Sequence, residues 1–339
     1  MTSIIDIAKK AKVSYSTVSR ILRNQEGYSY SKTTSSRVHK IAQEMGYVPN
    51  MAARFIRTRK TKIIGITTQA ENSYATYETT KKCSAAVRSY GYSPTMLDLS
   101  EYKSGDLSFL GNISYFAGVI CSYKKHEKEI VELSEKFRLD IPVITMREGV
   151  TGNPNVREVK CDIRKGFETA FEYLLKLGHR NIAYIGHESA SGRNIYYENM
   201  TKKHGIENKN FGVKEKAENN SFLSGVEMAA RITADKNITA ILSEDDEFAM
   251  GLISGLSDLG ISVPRDISII GFDNLAFSEA VRPRLTTVGV KRNERAEIGV
   301  KLLISLIEGS DVQKELLPQS ITLDCELIIR ESTGIAKSK

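Results

Sequence analysis

From Ile63 onward, short apolar runs alternate with longer stretches of helical periodicity. Strands read at 63–67, 93–97, 118–121, 143–146, 181–185, 240–242 and 267–272, with helices between them, among them 167–177, 247–259 and 295–307. Consecutive strands separated by a helix cannot pair as hairpins. They return by crossovers and form parallel sheets covered on both faces. The ~270 residues downstream of the first sixty exceed what one such domain uses, so two doubly wound sheets are expected.

The first sixty residues read differently. Residues 1–62 hold 13 Lys/Arg against three acids, Asp6, Glu26 and Glu44, whereas the rest of the chain carries a small acidic excess. A basic head on a nearly neutral body points to a polyanion partner. The head has apolar periodicity as well as charge. Ile4, Ile7, Ala8 and Ala11 follow helical spacing. Ser14 is placed to cap a second helix that runs to about Leu22, and 23–30, with Asn24 and Gly27, reads as a loop. Ser31 caps a third helix with Val38, Ile41, Ala42 and Met45 on one face, and Gly46 ends it. On a helical wheel Val18, Ile21 and Leu22 of the second helix turn towards Ile4, Ile7 and Ala8. Tyr15, Ser16, Ser19 and Arg20 turn outward. A hydroxyl-rich helix start followed by one arginine suits the major groove, with Arg20 on a guanine edge and Ser14 and Thr17 nearer the phosphates.

The string VSYSTVSRILRN, residues 13–24, resembles the headpiece of the lactose/galactose repressor family of transcriptional regulators, whose pattern is VSxxTVSRxLN. Arg23 stands as an extra residue before Asn24. The resemblance implies that Tyr15, Ser16 and Arg20 read bases, with Ser14, Thr17 and Asn24 as further DNA contacts. Two departures stand out: Ser35 occupies a position where relatives carry arginine, and the loop 25–30 is longer than in the shorter relatives. PNMAARFIRTRKT, residues 49–61, resembles the family hinge PNxxARSLxxxxT. This implies DNA contacts by Asn50 and Arg54, and an apolar wedge, Ile56, inserted in the minor groove. GHRNIAYIG (178–186), VPRDISIIGFDN (263–274), LTTV (285–288) and LIIRESTG (327–334) extend the resemblance over nearly the whole chain.

The family fold implies an α/β architecture: a three-helix helix-turn-helix headpiece (1–47), a hinge helix or linker (48–60), and two doubly wound parallel-sheet subdomains of periplasmic-binding-protein type. These take 61–160 with 290–320, and 161–289 with 321–330. The implied partners are a palindromic operator, read by a homodimer, and a small effector, a galactoside-like sugar, held between the subdomains. No leucine heptad follows the last strand, so a dimer is expected and not a tetramer. Ligands of doubly wound domains bind at the carboxyl ends of the strands. Arg193, Asp245 and Asp273 each follow a strand, and they match the family's effector positions, with an acid at 245 in place of asparagine. Gln69, Asn72 and Tyr74, in the loop after the first strand, supply the opposite wall. Each position also has a plainer reading, Asp273 and Asp245 as caps and Arg193 as a surface residue.

The marks of competing classes are missing. No GxGxxG follows a strand, and there is no GxxxxGK[ST] or GxSxG. His179 sits in a helix-to-strand turn and reads as structural. The acids 244–247 suit the first turn of a helix. Cys83, Cys121, Cys161 and Cys325 show no CxxC spacing, and the five histidines form no ligand cluster, so neither metal nor cofactor is expected. With no signal peptide and no spanning apolar run, the expected compartment is the cytoplasm, and no membrane partner is expected. A transport receptor, a catabolite-control regulator with a phosphoprotein corepressor, and a purine- or nucleoside-responsive repressor are the alternative readings.

Overall fold

The computed structural model describes residues 2–22, 28–47, 61–68, 74–98, 115–122, 141–146, 156–187, 192–213 and 221–337. The chain divides into two units, Met1–Thr61 and Lys62–Lys339.

In the first unit, α1 (Ile4–Ala11), α2 (Tyr15–Ile21) and α3 (Lys32–Glu44) are each started by a serine. Ser3 forms a reciprocal capping box with Asp6, and the hydroxyls of Ser14 and Ser31 accept from the backbone N–H of Thr17 and Thr34. These bonds satisfy amides that the first helical turn leaves without partners. The helices bury Ile7, Ala8, Ala11, Val18, Ile21, Val38, Ile41 and Ala42 in one small core, and Tyr30 and Tyr47 pack on it.

The second unit holds two six-stranded sheets. The first has the order β11-β5-β4-β3-β1-β2, from β1 (Ile63–Thr68), β2 (Ser93–Asp98), β3 (Gly118–Cys121), β4 (Val143–Thr145), β5 (Val156–Asp162) and β11 (Ser320–Asp324). The second has the order β12-β10-β9-β8-β6-β7, from β6 (Ile182–His187), β7 (Lys209–Val213), β8 (Ala240–Ser243), β9 (Ser268–Asp273), β10 (Thr286–Gly289) and β12 (Glu326–Ile328). Among the described residues every pairing is parallel except β10 with β12. The helices are α4 (Tyr74–Ser89), α5 (Ile163–Lys176), α6 (Arg193–His204), α7 (Ser221–Thr233), α8 (Asp246–Asp258), α9 (Arg292–Glu308) and α10 (Asp311–Glu315).

Side chains of α9, including Val300, Leu303 and Leu306, pack with Ile64, Ile120 and Ile144 of the first sheet. Phe167, Phe171 and Leu174 of α5 pack with Ile182, Tyr184 and Leu242 of the second. The chain therefore passes between the sheets after β5, after β10 and between β11 and β12. This corrects the expectation for 321–330. The stretch is two strands, not one: β11 pairs with β5, Leu323 opposite Cys161, and only β12 joins the second sheet, Leu327 opposite Val288. Tyr74 is likewise corrected, since it opens α4 and is not part of a loop. In the second subdomain α7 and α8 meet at backbone contact. A Cβ on Gly251 would lie 1.9 Å from the Phe222 carbonyl oxygen, so only glycine lets α8 lie this close.

Candidate functional site

In the headpiece, α2 presents the residues read from the sequence unevenly. Ser14, Tyr15 and Ser16 are exposed, and Thr17 and Arg20 are half-buried. Ser14 is first of all the helix cap, with its hydroxyl 2.8 Å from those of both Ser16 and Thr17. Ser19 was expected to face outward, but it is only 7% exposed; it lies between Val18 and Arg20 on the edge of the buried stripe, and a small hydroxyl fits there. Asn24, Asn50, Arg54 and Ile56 lie outside the described residues, as do Gln69 and Asn72 on the effector side.

In the core, two helix starts and a strand end gather at the carboxyl ends of the strands. Arg193 opens α6 behind β6, and Asp245 caps α8 behind β8, accepting 2.7 Å from the Phe248 N–H and 3.1 Å from the Ser221 hydroxyl. Asp273 ends β9 in a left-handed conformation, φ 108°, followed by Asn274 at φ 50°. Such conformations persist in L residues only where the surroundings enforce them, and they concentrate at functional sites. The Arg193 guanidinium lies 3.9 Å over the Phe272 ring and donates to the Glu244 carbonyl. Asp273 pairs with Arg292, Nη2 to Oδ1 3.0 Å. From the first subdomain, the Tyr74 N–H donates to the Glu247 carboxylate at 3.3 Å. The Tyr74 ring packs 5.1 Å from Phe277. The strand-end residues named from the sequence therefore share one mouth with Tyr74.

The electrostatics of this mouth are acidic and desolvated. Burial pushes the Asp245 carboxyl up to about 6, and the charges of Glu244 and Asp273 add to that, against Arg193. Burial, with Asp245 beside it, lifts Glu247 to about 7. Asp246 is raised well above the usual carboxylate range by complete burial, although the Thr287 hydroxyl and the Leu275 N–H bond to it at 2.5 and 2.7 Å. The sequence reading missed Glu247, Phe277 and Arg292. The first carries a signal, the acid run 244–247, which on sequence alone reads as complement to a helix dipole. An aromatic wall with carboxylates and an arginine fork can receive paired hydroxyls or amide-like edges of a small polar ligand. Among the described residues no group of three or more His, Cys, Asp or Glu is placed to hold a metal ion. No described helix is long and apolar enough to cross a membrane.

Residues 3–50 match the family described as bacterial regulatory proteins, lacI family, and residues 171–333 match the periplasmic binding protein-like domain. The HTH-type transcriptional repressor PurR of Actinobacillus pleuropneumoniae serotype 3 is 30% identical over 341 residues, covering 98% of each chain. The chain belongs to the LacI family. It is a DNA-binding transcriptional repressor with a ligand-binding core, and not an enzyme. The LacI-family fold extends to solved structures. The lac repressor dimer bound to operator and the anti-inducer ONPF aligns with TM-score 0.80 at 20% identity, over 98% of this chain and 99% of that one. A LacI family regulator from Arthrobacter sp. FB24 in complex with lactose aligns with TM-score 0.67 at 20% identity, over 81% of this chain and 100% of that one.

Proposed function

We propose that this LacI-family chain works in the cytoplasm as a homodimer on a palindromic operator, and that it represses a sugar-utilisation operon until a small galactoside-like sugar enters the core. One observation carries the effector half of the reading: Arg193, Asp245, Asp273 and Glu247 meet at the strand ends beside the Tyr74–Phe277 aromatic pair. Carboxylates accept from ring hydroxyls, a guanidinium edge donates to them, and an aromatic face covers the C–H side of a pyranose. A structural neighbour that holds lactose supports the same class. For the DNA half, α2 carries Tyr15, Ser16 and Arg20 on its accessible side, as a recognition helix requires.

The purine- and nucleoside-responsive reading keeps one support, the 30% identical relative named PurR. A thermal-shift screen of sugars, nucleobases and nucleosides separates the two, because a ligand that binds the folded core raises its melting temperature. The expected result is a shift with a galactoside or related sugar, and release of operator DNA by the same compound. A shift with a nucleobase alone overturns the sugar assignment. Arg20→Ala is expected to cost about 1–3 kcal/mol of operator binding and to relax preference at one base pair. Phosphate contacts add a steep fall of affinity with salt.

A further inference from the structure

The described residues before α3, 28–31, do more than lead into that helix. Tyr30 packs on the headpiece core, and Ser31 caps α3. Two residues earlier, Tyr28 is 48% exposed and makes no part of that core. Its ring lies beneath the Arg20 guanidinium, 4.1 Å from Cζ to the ring centroid. Arg20 stands on α2 with Val18, Ser19 and Ile21 buried around it.

We infer that Tyr28 is a positioning residue for operator reading: its ring fixes the plane of the Arg20 guanidinium and leaves the N–H edge free for a base. The inference rests on the assignment of Arg20 as a base reader. A guanidinium held over a ring face by cation–π attraction spends none of its five N–H donors on a hydrogen bond to its partner. A carboxylate partner would fix it equally well but would occupy the donors that a guanine O6/N7 pair needs. A bidentate contact depends on the angle of the guanidinium plane, so a surface that sets this angle before DNA arrives acts on discrimination more than on general affinity.

The test uses the full chain and a duplex selected from a randomised palindromic library, with its single-base-pair variants. Discrimination is measured for the wild type, Tyr28→Phe, Tyr28→Leu, Arg20→Ala and the Tyr28→Leu/Arg20→Ala double variant. Tyr28→Leu is expected to lower discrimination ~2- to 5-fold, the size of an exposed cation–π contact, at the base pair that Arg20→Ala also relaxes. Tyr28→Phe keeps the ring face and keeps wild-type discrimination. The double variant matches Arg20→Ala, with no further loss. A Tyr28→Leu protein with intact discrimination overturns the inference, as does one that binds all duplexes more weakly by the same factor, or an additive double variant. If Arg20→Ala itself leaves the sequence preference intact, the base-reading assignment falls first. If Arg20→Ala loses preference while Tyr28→Leu does not, only the role of Tyr28 falls.

Discussion

Arg292 grips Asp273 twice, through Nη2 to the Oδ1 carboxylate oxygen at 3.0 Å and through Nη1 to the backbone carbonyl. Both side chains are nearly covered, 10% and 14% exposed. Asp273 ends a strand of the second sheet, whereas Arg292 begins the helix that packs on the first. The pair therefore joins the two halves of the core at the mouth proposed above to receive the effector. A carboxylate has about four acceptor sites, so Asp273 keeps capacity for ligand hydroxyls while Arg292 holds it.

The consequence is separable function. Arg193→Ala and Asp273→Ala are expected to keep operator affinity and lose release by the sugar identified in the thermal-shift screen. Electrophoretic mobility shifts with and without that sugar measure both properties in one titration. A variant of either residue that still responds at the wild-type sugar concentration does not belong to the site.

Glu247 gives the core a pH dependence of definite sign. Its carboxyl is raised from 4.5 to about 7 by burial and by Asp245, so ionising it disfavours the folded state. Its contribution is fully present below pH 4.5 and is lost as pH rises through about 7. Asp245 acts in the same direction between 3.8 and about 6. Glu247→Gln keeps an acceptor for the Tyr74 N–H and removes the charge. Urea denaturation at pH 5 and pH 8 is expected to show the variant losing less stability than the wild type over that interval. Equal losses in the two proteins count against the raised carboxyl.

Asp246 is a structural residue in the middle of the site. Its two oxygens accept from the Thr287 hydroxyl and the Leu275 N–H, tying the start of α8 to β10 and to the turn after β9. Asp246→Ala leaves both donors buried without this partner. A loss of about 2–4 kcal/mol is expected by denaturant titration, well above that of a surface substitution. A loss below about 1 kcal/mol shows that the donors find other acceptors.

What was legible in the sequence follows from how local the cause is. The headpiece helices have their caps, apolar stripes and Gly46 within a turn or two, so their limits are readable. Arg193, Asp245 and Asp273 are readable as neighbours at one mouth because a strand end is a place that periodicity marks, and the family resemblance points to the same positions. Strand β5 was invisible because Arg157, Glu158 and Lys160 make it look like a surface segment. Its charges are held by residues far along the chain, Arg157 by Gln319 at 3.1 Å and Glu158 by Ser320 at 3.0 Å. Strand β7 is a short edge strand with Lys209 and Asn210, and β10 is threonine-rich, so neither shows an apolar run. Arg292 follows the threonine-rich β10, which leaves no strand-end signature, and the crossover after β10 brings it to the mouth. Phe277 lies in the single 3-10 turn Ala276–Ser278 just after β9, a segment with no apolar periodicity to mark it.

His179 gives the same core a sensitivity to acid. It is 2% exposed, with Nε2 3.0 Å from the Gly334 carbonyl and Nδ1 2.9 Å from the Thr239 hydroxyl. A carbonyl only accepts, so Nε2 carries the proton, and the neutral ring accepts at Nδ1 from Thr239. Burial lowers the imidazole below its ordinary value of 6.5, against a smaller opposing effect of the Gly334 bond. Unfolding therefore takes up a proton at mildly acid pH. The contribution of His179 is present above pH 6.5 and is lost as pH falls towards the depressed value. This is opposite in sign to the Glu247 effect. The two are told apart by substitution, because His179→Gln keeps hydrogen-bonding groups but does not titrate. Thermal denaturation from pH 7 to pH 5 is expected to lower Tm more in the parent than in His179→Gln, with Glu247→Gln in the background of both to remove its opposing effect and Asp245 the same in both. A His179→Gln protein whose Tm falls as steeply as its parent places the acid sensitivity elsewhere.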